Sequence, residues 1–422
     1  MPQFRKIKKC RICENKKLNN IIDLNSQYIQ GSFIKKNYPR PYLKKIPLKL
    51  TLCPECSLVQ LAHTTNKKIL YKNYWYESGI NLTMRNHLEE LVREASKLVK
   101  GNKINVLDIG CNDGTLLNFY DKKYKKFGID PSQIVKKINK KKITVVNDFF
   151  PITKKSNKIA KIKFNIITSI AMFYDLDNPN LFVKEIKKYL DKKGIWIFEM
   201  SYLIDMLKLN SFDTICHEHL EYYSLTSLNY LIDKNDLKIF KVSKNKINGG
   251  SIRCYVTHKD NKIYDNQLNL RYFRNHLLTE KNLKIKKKKI YIKFLINIQK
   301  IKKKIISKII NIKKKNKSIF ILGASTKGNT ILQFLGINKN IIPYAIERNK
   351  EKIGAKTIGS NIEIISEKTA KLYFPDYKLV LPWHFREEII KREIEYLKKD
   401  GKLIFPLPNM LIIDKKNYLK YV

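Results

Sequence analysis

Short apolar runs alternate with amphipathic stretches through the middle of this chain. Runs at 104–109, 126–129, 143–146, 164–168 and 194–199 have strand length and are rich in Ile, Val and Phe. Apolar positions between them recur at helical spacing. That alternation predicts a doubly wound α/β domain around a parallel sheet buried on both faces. A helical pattern with Leu82, Leu88, Leu91 and Val92 leads into it. Further runs at 319–322, 343–346, 378–381 and 402–404 predict a second Rossmann-like sheet. Between the two sets lie a strand at 251–256 and a tract from 280 to 317 that mixes Lys with Ile, Leu and Phe. The tract predicts one or two long connecting helices with a solvated Lys face. A basic amphipathic helix lying on a membrane surface is the sharper alternative.

Composition changes this picture little. A chain of 422 residues with 43% hydrophobic residues can bury two or three cores. The formal charge of +48 suggests a nucleic-acid partner. The basic residues are mostly Lys, however, and are spread over every segment among Ile and Asn. That is a compositional drift rather than a phosphate-binding face, so no nucleic-acid partner is expected. An anionic small substrate would also be attracted. No signal peptide and no run long enough to span a bilayer is apparent, and four of the seven Cys fall in two close pairs. A cytoplasmic setting follows most simply.

The segment Val106-Leu-Asp-Ile-Gly-Cys-Asn-Asp-Gly114 carries the first chemistry. Gly110 and Gly114 let the backbone turn sharply at the end of a strand and approach a ligand. Asp108 and Asp113, with Asn112 between the glycines, would repel a pyrophosphate. They suit a ligand with an amino group and ribose hydroxyls. Asp130, twenty residues after Gly110, ends the next strand and can accept both hydroxyls of a ribose. Asp148 and Phe149 follow the third strand, where an adenine can lie against the ring, and Ser169 follows the fourth. Together they predict a pocket for S-adenosylmethionine (SAM). Near the N-terminus, Cys10 and Cys13 match Cys53 and Cys56 as two CxxC knuckles. Four thiolates make a closed tetrahedral site for structural zinc, in a segment with little apolar material of its own.

His217, Glu218 and His219, with Tyr222 and Tyr223 close behind, are an acid-base set. Alternate spacing places both His on one side of a strand, and HxH beside a carboxylate also suits a metal. Asn248-Gly-Gly-Ser-Ile-Arg253 adds a flexible turn and an Arg that can hold an anion. Gly323-Ala-Ser-Thr-Lys-Gly328 is a turn into a helix whose amides, hydroxyls and Lys327 make an anion site without being a Walker motif.

Nearly the whole chain resembles the SAM-dependent C-methyltransferases that act on nucleotide-linked 4-keto-deoxysugars in deoxysugar and surface-polysaccharide synthesis. The resemblance rests on the Cys knuckles with Leu58-Val-Gln-Leu61, on 76–86, 108–117, His217-Glu-His-Leu220 with Tyr222-Tyr-Ser224, 248–253, 323–330, 345–349 and 381–386. It implies a zinc-binding domain at 1–75 and a SAM-dependent methyltransferase domain at 76–250. It further implies a strand and Lys-rich connector at 251–317, then a Rossmann-like domain at 318–422 that helps bind the nucleotide-sugar. By the motif match His219 is the expected base, removing a proton next to the ketone so that the enolate attacks the SAM methyl. Glu218 and His217 would orient it or stabilise the enolate oxygen, Tyr76 would cover the site, and Tyr222 or Tyr223 would stand in for a missing phenol. No metal is needed for that transfer. Ser325, Lys327, Arg348 and Arg386 join Asn248 and Arg253 as candidates for the diphosphate or sugar. Two departures stand out: Cys216 where the family usually has Tyr, and Tyr174 where some members have His. Oxygen or nitrogen methylation of a sugar, and an RNA-binding or RNA-methylating protein, are the alternatives. A monomer or small homo-oligomer is expected.

Overall fold

The computed structural model describes residues 3–71, 79, 82–152 and 159–422. Its centre is a seven-stranded sheet. From edge to edge the strands are Leu237–Asn245, Ser251–His258, Leu190–Ser201, Phe164–Ile170, Asn105–Ile109, Lys125–Ile129 and Thr144–Val146. All neighbours are parallel except those of Ser251–His258, which runs against both of its partners. The strand order reverses between Asn105–Ile109 and Phe164–Ile170. That reversal opens a crevice at the carboxyl ends of the strands, where α/β sheets bind ligands. Ser251–His258, expected in a connector, is instead an inner strand of this sheet. Its cross-strand pairing with Leu190–Ser201 carries the sheet past position 250.

A second sheet takes Leu411–Ile413, Lys402–Phe405, Tyr377–Val380, Ile319–Leu322, Tyr344–Glu347, Glu363–Ser366, Lys356–Thr357 and finally Phe33–Ile34. Its five central strands are parallel and its edges antiparallel. The edge strand Phe33–Ile34 comes from the N-terminal segment. A third, antiparallel sheet joins Asn19–Gln27, Ile46–Leu52 and Val59–Leu61, and its last strand, Glu221–Tyr222, comes from the middle of the chain. The N-terminal module therefore lends a strand to one neighbour and borrows one from the other.

The Lys-rich tract forms the helix Lys288–Lys314. Tyr291, Phe294, Ile298, Ile301, Ile305, Ile309 and Ile312 recur at three- and four-residue steps and are all buried. Each such burial contributes about 1.5–3 kcal/mol. The stripe packs into the same core as the second and third sheets. Core packing consumes the apolar face that a membrane surface would have needed. Among the described residues, no helix is long and apolar enough to cross a membrane.

Candidate active site

The crevice at the strand reversal is a cleft of about 1150 Å³. Asp108, Gly110, Asn112, Asp130, Asp148 and Phe149 line it. Gly110 has φ 78°, and a Cβ there would lie 2.9 Å from Met172 Cγ. Asp130 ends its strand with one carboxylate oxygen accepting the Asn112 amide at 3.0 Å and the other the Ser132 amide at 2.8 Å. Carboxylate oxygens accept more than one bond each, so capacity for a ribose diol remains. Asp108 is buried, accepts the Thr168 hydroxyl at 2.6 Å, and is pushed up to about 7 by burial. An ammonium group brought beside it would restore its charge.

Asp113 and Gly114 stand behind this wall. Asp113 accepts the amides of Thr115 at 3.1 Å and Gly79 at 2.8 Å, and Gly114 (φ 77°) turns the chain into the helix Thr115–Phe119. Ser169 faces the opposite side of its strand and accepts the Trp196 indole N–H at 3.2 Å. Ile170, Ala171 and Met172 reach the cleft in its place. Met84 and Leu88 complete the wall from the helix Leu82–Leu98; neither carries a motif that would single it out. Acidic end, diol acceptor and apolar wall fit SAM.

A second cleft, of about 1740 Å³, opens between the two α/β sheets. Glu218, His219, Asn248, Ser325, Lys327 and Arg348 line it. Ala171, in the left-handed conformation at φ 54°, lines both clefts, so they meet at one residue. Residues 215–220 form a turn rather than a strand, and the His219 amide donates to Cys216 O at 3.2 Å. The three residues of the motif consequently part company. His219 Nδ1 lies 2.7 Å from Thr214 O, which can only accept. The ring is thus the Nδ1–H tautomer, with the Nε2 lone pair as its free base. Burial, then the Lys327 ammonium, hold its pKa down to about 3. Tyr174 packs on it with ring centroids 4.2 Å apart. Glu218 reaches the same cleft, and burial pushes its carboxyl up to about 7. It fits only because residue 31 is glycine: a Cβ there would sit 1.9 Å from Glu218 Oε1.

His217 points away and is buried, its ring nitrogens 2.8 Å from Gln30 Oε1 and 3.1 Å from Ile46 O. Tyr222 is buried against the strand Val59–Leu61 and borders a small separate pocket behind His219, not the cleft. Arg253 does not reach the cleft either. It sits opposite Glu199 in the sheet register, and its Nε donates to that carboxylate at 2.7 Å within a buried cluster with His87. Arg386 lies over the Tyr421 ring, 5.6 Å from its centroid, while His384 and Phe385 line the cleft. Tyr76 lies outside the described residues.

The sulfurs of Cys10, Cys13, Cys53 and Cys56 all lie within 4.8 Å of one another, with the nearest pairs at 3.4 and 3.5 Å. A tetrahedron with Zn–S bonds of about 2.3 Å has edges of about 3.8 Å, so the set fits zinc. What this module does for the site was not apparent from the knuckles alone. Leu58 O accepts the Cys53 amide at 2.9 Å, and Leu61 N donates to Leu220 O at 2.8 Å. The second knuckle thereby leads directly into the strand that clamps the His219 turn. Arg11, inside the first knuckle, donates to Leu61 O at 2.9 Å, and its Nε lies 3.6 Å from a carboxylate oxygen of the buried Glu221.

Fold and site together define a SAM-dependent methyltransferase with a four-cysteine zinc module. Three family models match in order along the chain. They are "Putative zinc binding domain" at 10–71, "Methyltransferase domain" at 81–242 and "C-methyltransferase C-terminal domain" at 246–408. The chain belongs to this three-module C-methyltransferase family and is a SAM-dependent C-methyltransferase. It is 25% identical over 430 residues to C-methyltransferase NovU from Streptomyces niveus, covering 98% of this chain and 99% of that one. Solved structures similar to part of the chain include a SAM-dependent methyltransferase from Clostridium acetobutylicum ATCC 824, at 13% identity over 41% of this chain and 92% of that one (TM-score 0.33). The PH0226 protein from Pyrococcus horikoshii OT3 is similar at 16% identity over 44% and 95% (TM-score 0.34).

Proposed function

We propose that the chain methylates a carbon beside the ketone of a nucleotide-linked 4-keto-deoxysugar. The observation that carries this is the meeting of the two clefts at Ala171, with the His219 base on the far side of the junction. A ketone acidifies the hydrogen on its neighbouring carbon. His219 Nε2 takes that proton, and the C–H electron pair becomes the enolate. Thr214 O holds the imidazole in the tautomer that can accept. Glu218, Asn248, Ser325 and Arg348 surround the sugar-nucleotide, with Ser325 capping the helix Thr326–Leu335. Arg348 and Lys352 favour its anionic portion. Bound SAM supplies an electrophilic methyl group to the enolate carbon and leaves as S-adenosylhomocysteine. Cys216 is buried, and burial then Glu218 push its thiol well up. It is neutral and does not line the cleft, so it takes no part.

Mass spectrometry of the purified protein with SAM and a panel of nucleotide-4-keto-6-deoxysugars tests the proposal. One added methyl with loss of a hydrogen beside the ketone supports it. Methylation on oxygen or nitrogen, or none across the panel with SAM binding intact, overturns it.

A further inference from the structure

We propose that Lys327 is the cation that receives the negative charge developing on the substrate's carbonyl oxygen, rather than a ligand of the diphosphate. The inference rests on the proposed enolate chemistry and assigns a further catalytic residue to it. Lys327 is the second residue of the helix Thr326–Leu335, whose first turn forms part of the cleft floor. Its Nζ donates to Asn248 O at 2.8 Å, which fixes the head and leaves two N–H groups. Lys327 lines the same cleft as His219 and His384, and its charge acts on both. Burial pulls its own pKa down, and the buried Asp213 carboxyl holds it up.

The other cations lining the cleft lie toward carboxylates of the same wall, Glu347, Glu388 and Glu367. Lys352 Nζ donates to Ala324 O at 2.8 Å and is drawn to Glu347, Arg348 lies 3.9 Å from Glu388, and Arg392 lies 3.7 Å from Glu367. Among the described residues lining this cleft, Lys327 is the cation whose field reaches His219. The cleft thus has an end rich in Arg–Glu pairs, suited to a nucleoside diphosphate, and an end where the Lys327 ammonium, held up by the buried Asp213, shares the wall with the His219 imidazole.

That pairing has a chemical logic. With no substrate, Lys327 makes protonation of His219 costly, and the imidazole stays neutral. When the proton leaves carbon, its C–H electron pair forms the carbon–carbon double bond, and the carbonyl π pair moves onto oxygen. The proton goes to His219 Nε2. The new negative oxygen then lies between an ammonium and an imidazolium. Lys327 thereby stabilises the enolate, and the enolate offsets the repulsion that had kept His219 neutral. Proton uptake by the base is conditional on charge appearing where Lys327 can meet it. Removing one preorganised donor of this kind costs about 10²–10³-fold in rate.

The test is hydrogen exchange in D₂O, with dTDP-4-keto-6-deoxyglucose as the probe and S-adenosylhomocysteine bound to the zinc-loaded enzyme. Wild type should exchange hydrogen at a carbon flanking the ketone. Lys327→Met should slow that exchange about 10²-fold or more. It should leave the affinities for dTDP and S-adenosylhomocysteine unchanged, and Lys327→Arg should recover part of the rate. Unchanged exchange in Lys327→Met overturns the assignment. So does a loss that follows weakened dTDP binding, since that is the signature of a diphosphate ligand. The two affinities and the Lys327→Arg rate separate a misfolded variant from a lost charge. Absence of exchange in the wild type overturns the proposed function itself, and with it this role.

Discussion

The N-terminal module should control the turn that carries His219 through one buried guanidinium, and Arg11→Met is the perturbation that shows it. The Arg11 side chain is 3% exposed and that of Glu221 is 0% exposed. The guanidinium donates to Leu61 O at 2.9 Å, Gln60 Oε1 at 3.2 Å and Thr64 Oγ1 at 2.8 Å. Its second carboxylate neighbour, Asp177, has a side chain 31% exposed, so water can replace Arg11 there. Burial pushes the Glu221 carboxyl well up and Arg11 pulls it back down, so without Arg11 it takes up a proton. The loss of Arg11 is therefore felt through its hydrogen bonds, and Leu61 O, Gln60 Oε1 and Thr64 Oγ1 are left without that donor. Three charged hydrogen bonds at about 1.5–3 kcal/mol each, partly overlapping, set the expected loss at about 5 kcal/mol. Glu221→Gln in the Arg11→Met background should change stability little further, since Glu221 is already neutral there. The assay is zinc release into a chromophoric chelator along a guanidinium gradient, with methylation rates measured in parallel. Glu221 lies two residues from His219, and a shift of about 1 Å in a base costs about 10²-fold in kcat. Affinity for S-adenosylhomocysteine should hold, because its cleft belongs to another sheet. If Arg11→Met retains zinc to the wild-type denaturant concentration, or the double variant loses the sum of the singles, the coupling does not exist.

His219→Gln should lower kcat by about 10²–10⁴-fold while calorimetry shows unchanged S-adenosylhomocysteine binding; near-native turnover would remove His219 as the base. Asp130→Asn should weaken S-adenosylhomocysteine by about 1.5–3 kcal/mol, and Ser169→Ala should leave its affinity alone; equal effects of the two would mean that the cleft is misassigned. Glu218 has a folded pKa raised to about 7 from 4.5, so its contribution to stability is present below 4.5 and is lost as pH rises through about 7. Glu218→Gln should therefore be more stable than wild type at pH 8, by about 3 kcal/mol, with no difference at about pH 4. Thermal melts across that range check the sign, and a gain that grows toward low pH would contradict it. Gly31→Ala should displace the Glu218 carboxylate and abolish any inflection near neutrality in the pH–rate profile; retention of that inflection would place its source elsewhere.

Both α/β sheets were legible in the sequence because their central strands are short and mostly apolar, with Ile, Val, Leu and Phe predominating, and such stretches have few other places to go. The SAM cleft was legible for a related reason: Gly110, Asp130 and Phe149 follow their strands closely, so local spacing fixes where they end up. Ser169 shows the limit, since one step along an extended chain turns a side chain to the opposite face. The His217–His219 segment misled because alternate spacing implies sidedness only in a strand, and this segment is a turn. Arg253 misled in another way. An Arg beside a Gly-Gly turn suggests an anion site, but Glu199 across the sheet is 54 residues earlier in the chain and nothing local announces it.

The strand exchange was invisible for a more general reason. Two-residue strands such as Phe33–Ile34 and Glu221–Tyr222 carry no periodicity, and they form only because a partner edge is already in place. Yet these are the elements that assemble the site. Phe33–Ile34 ties the N-terminal module to the second sheet, and Glu221–Tyr222 ties it to the turn that holds His219. Gly31 and Gln30 lie just before the first of these strands, and they are the residues that accommodate Glu218 and hold His217. The strand Val59–Leu61 that pairs with Glu221–Tyr222 follows the second knuckle directly, so the rigidity of the knuckle sets where that strand lies. Rigidity at the knuckles is what four thiolates on one zinc supply. The four-cysteine site therefore supports the geometry of the proposed catalytic turn, although its cysteines line neither cleft.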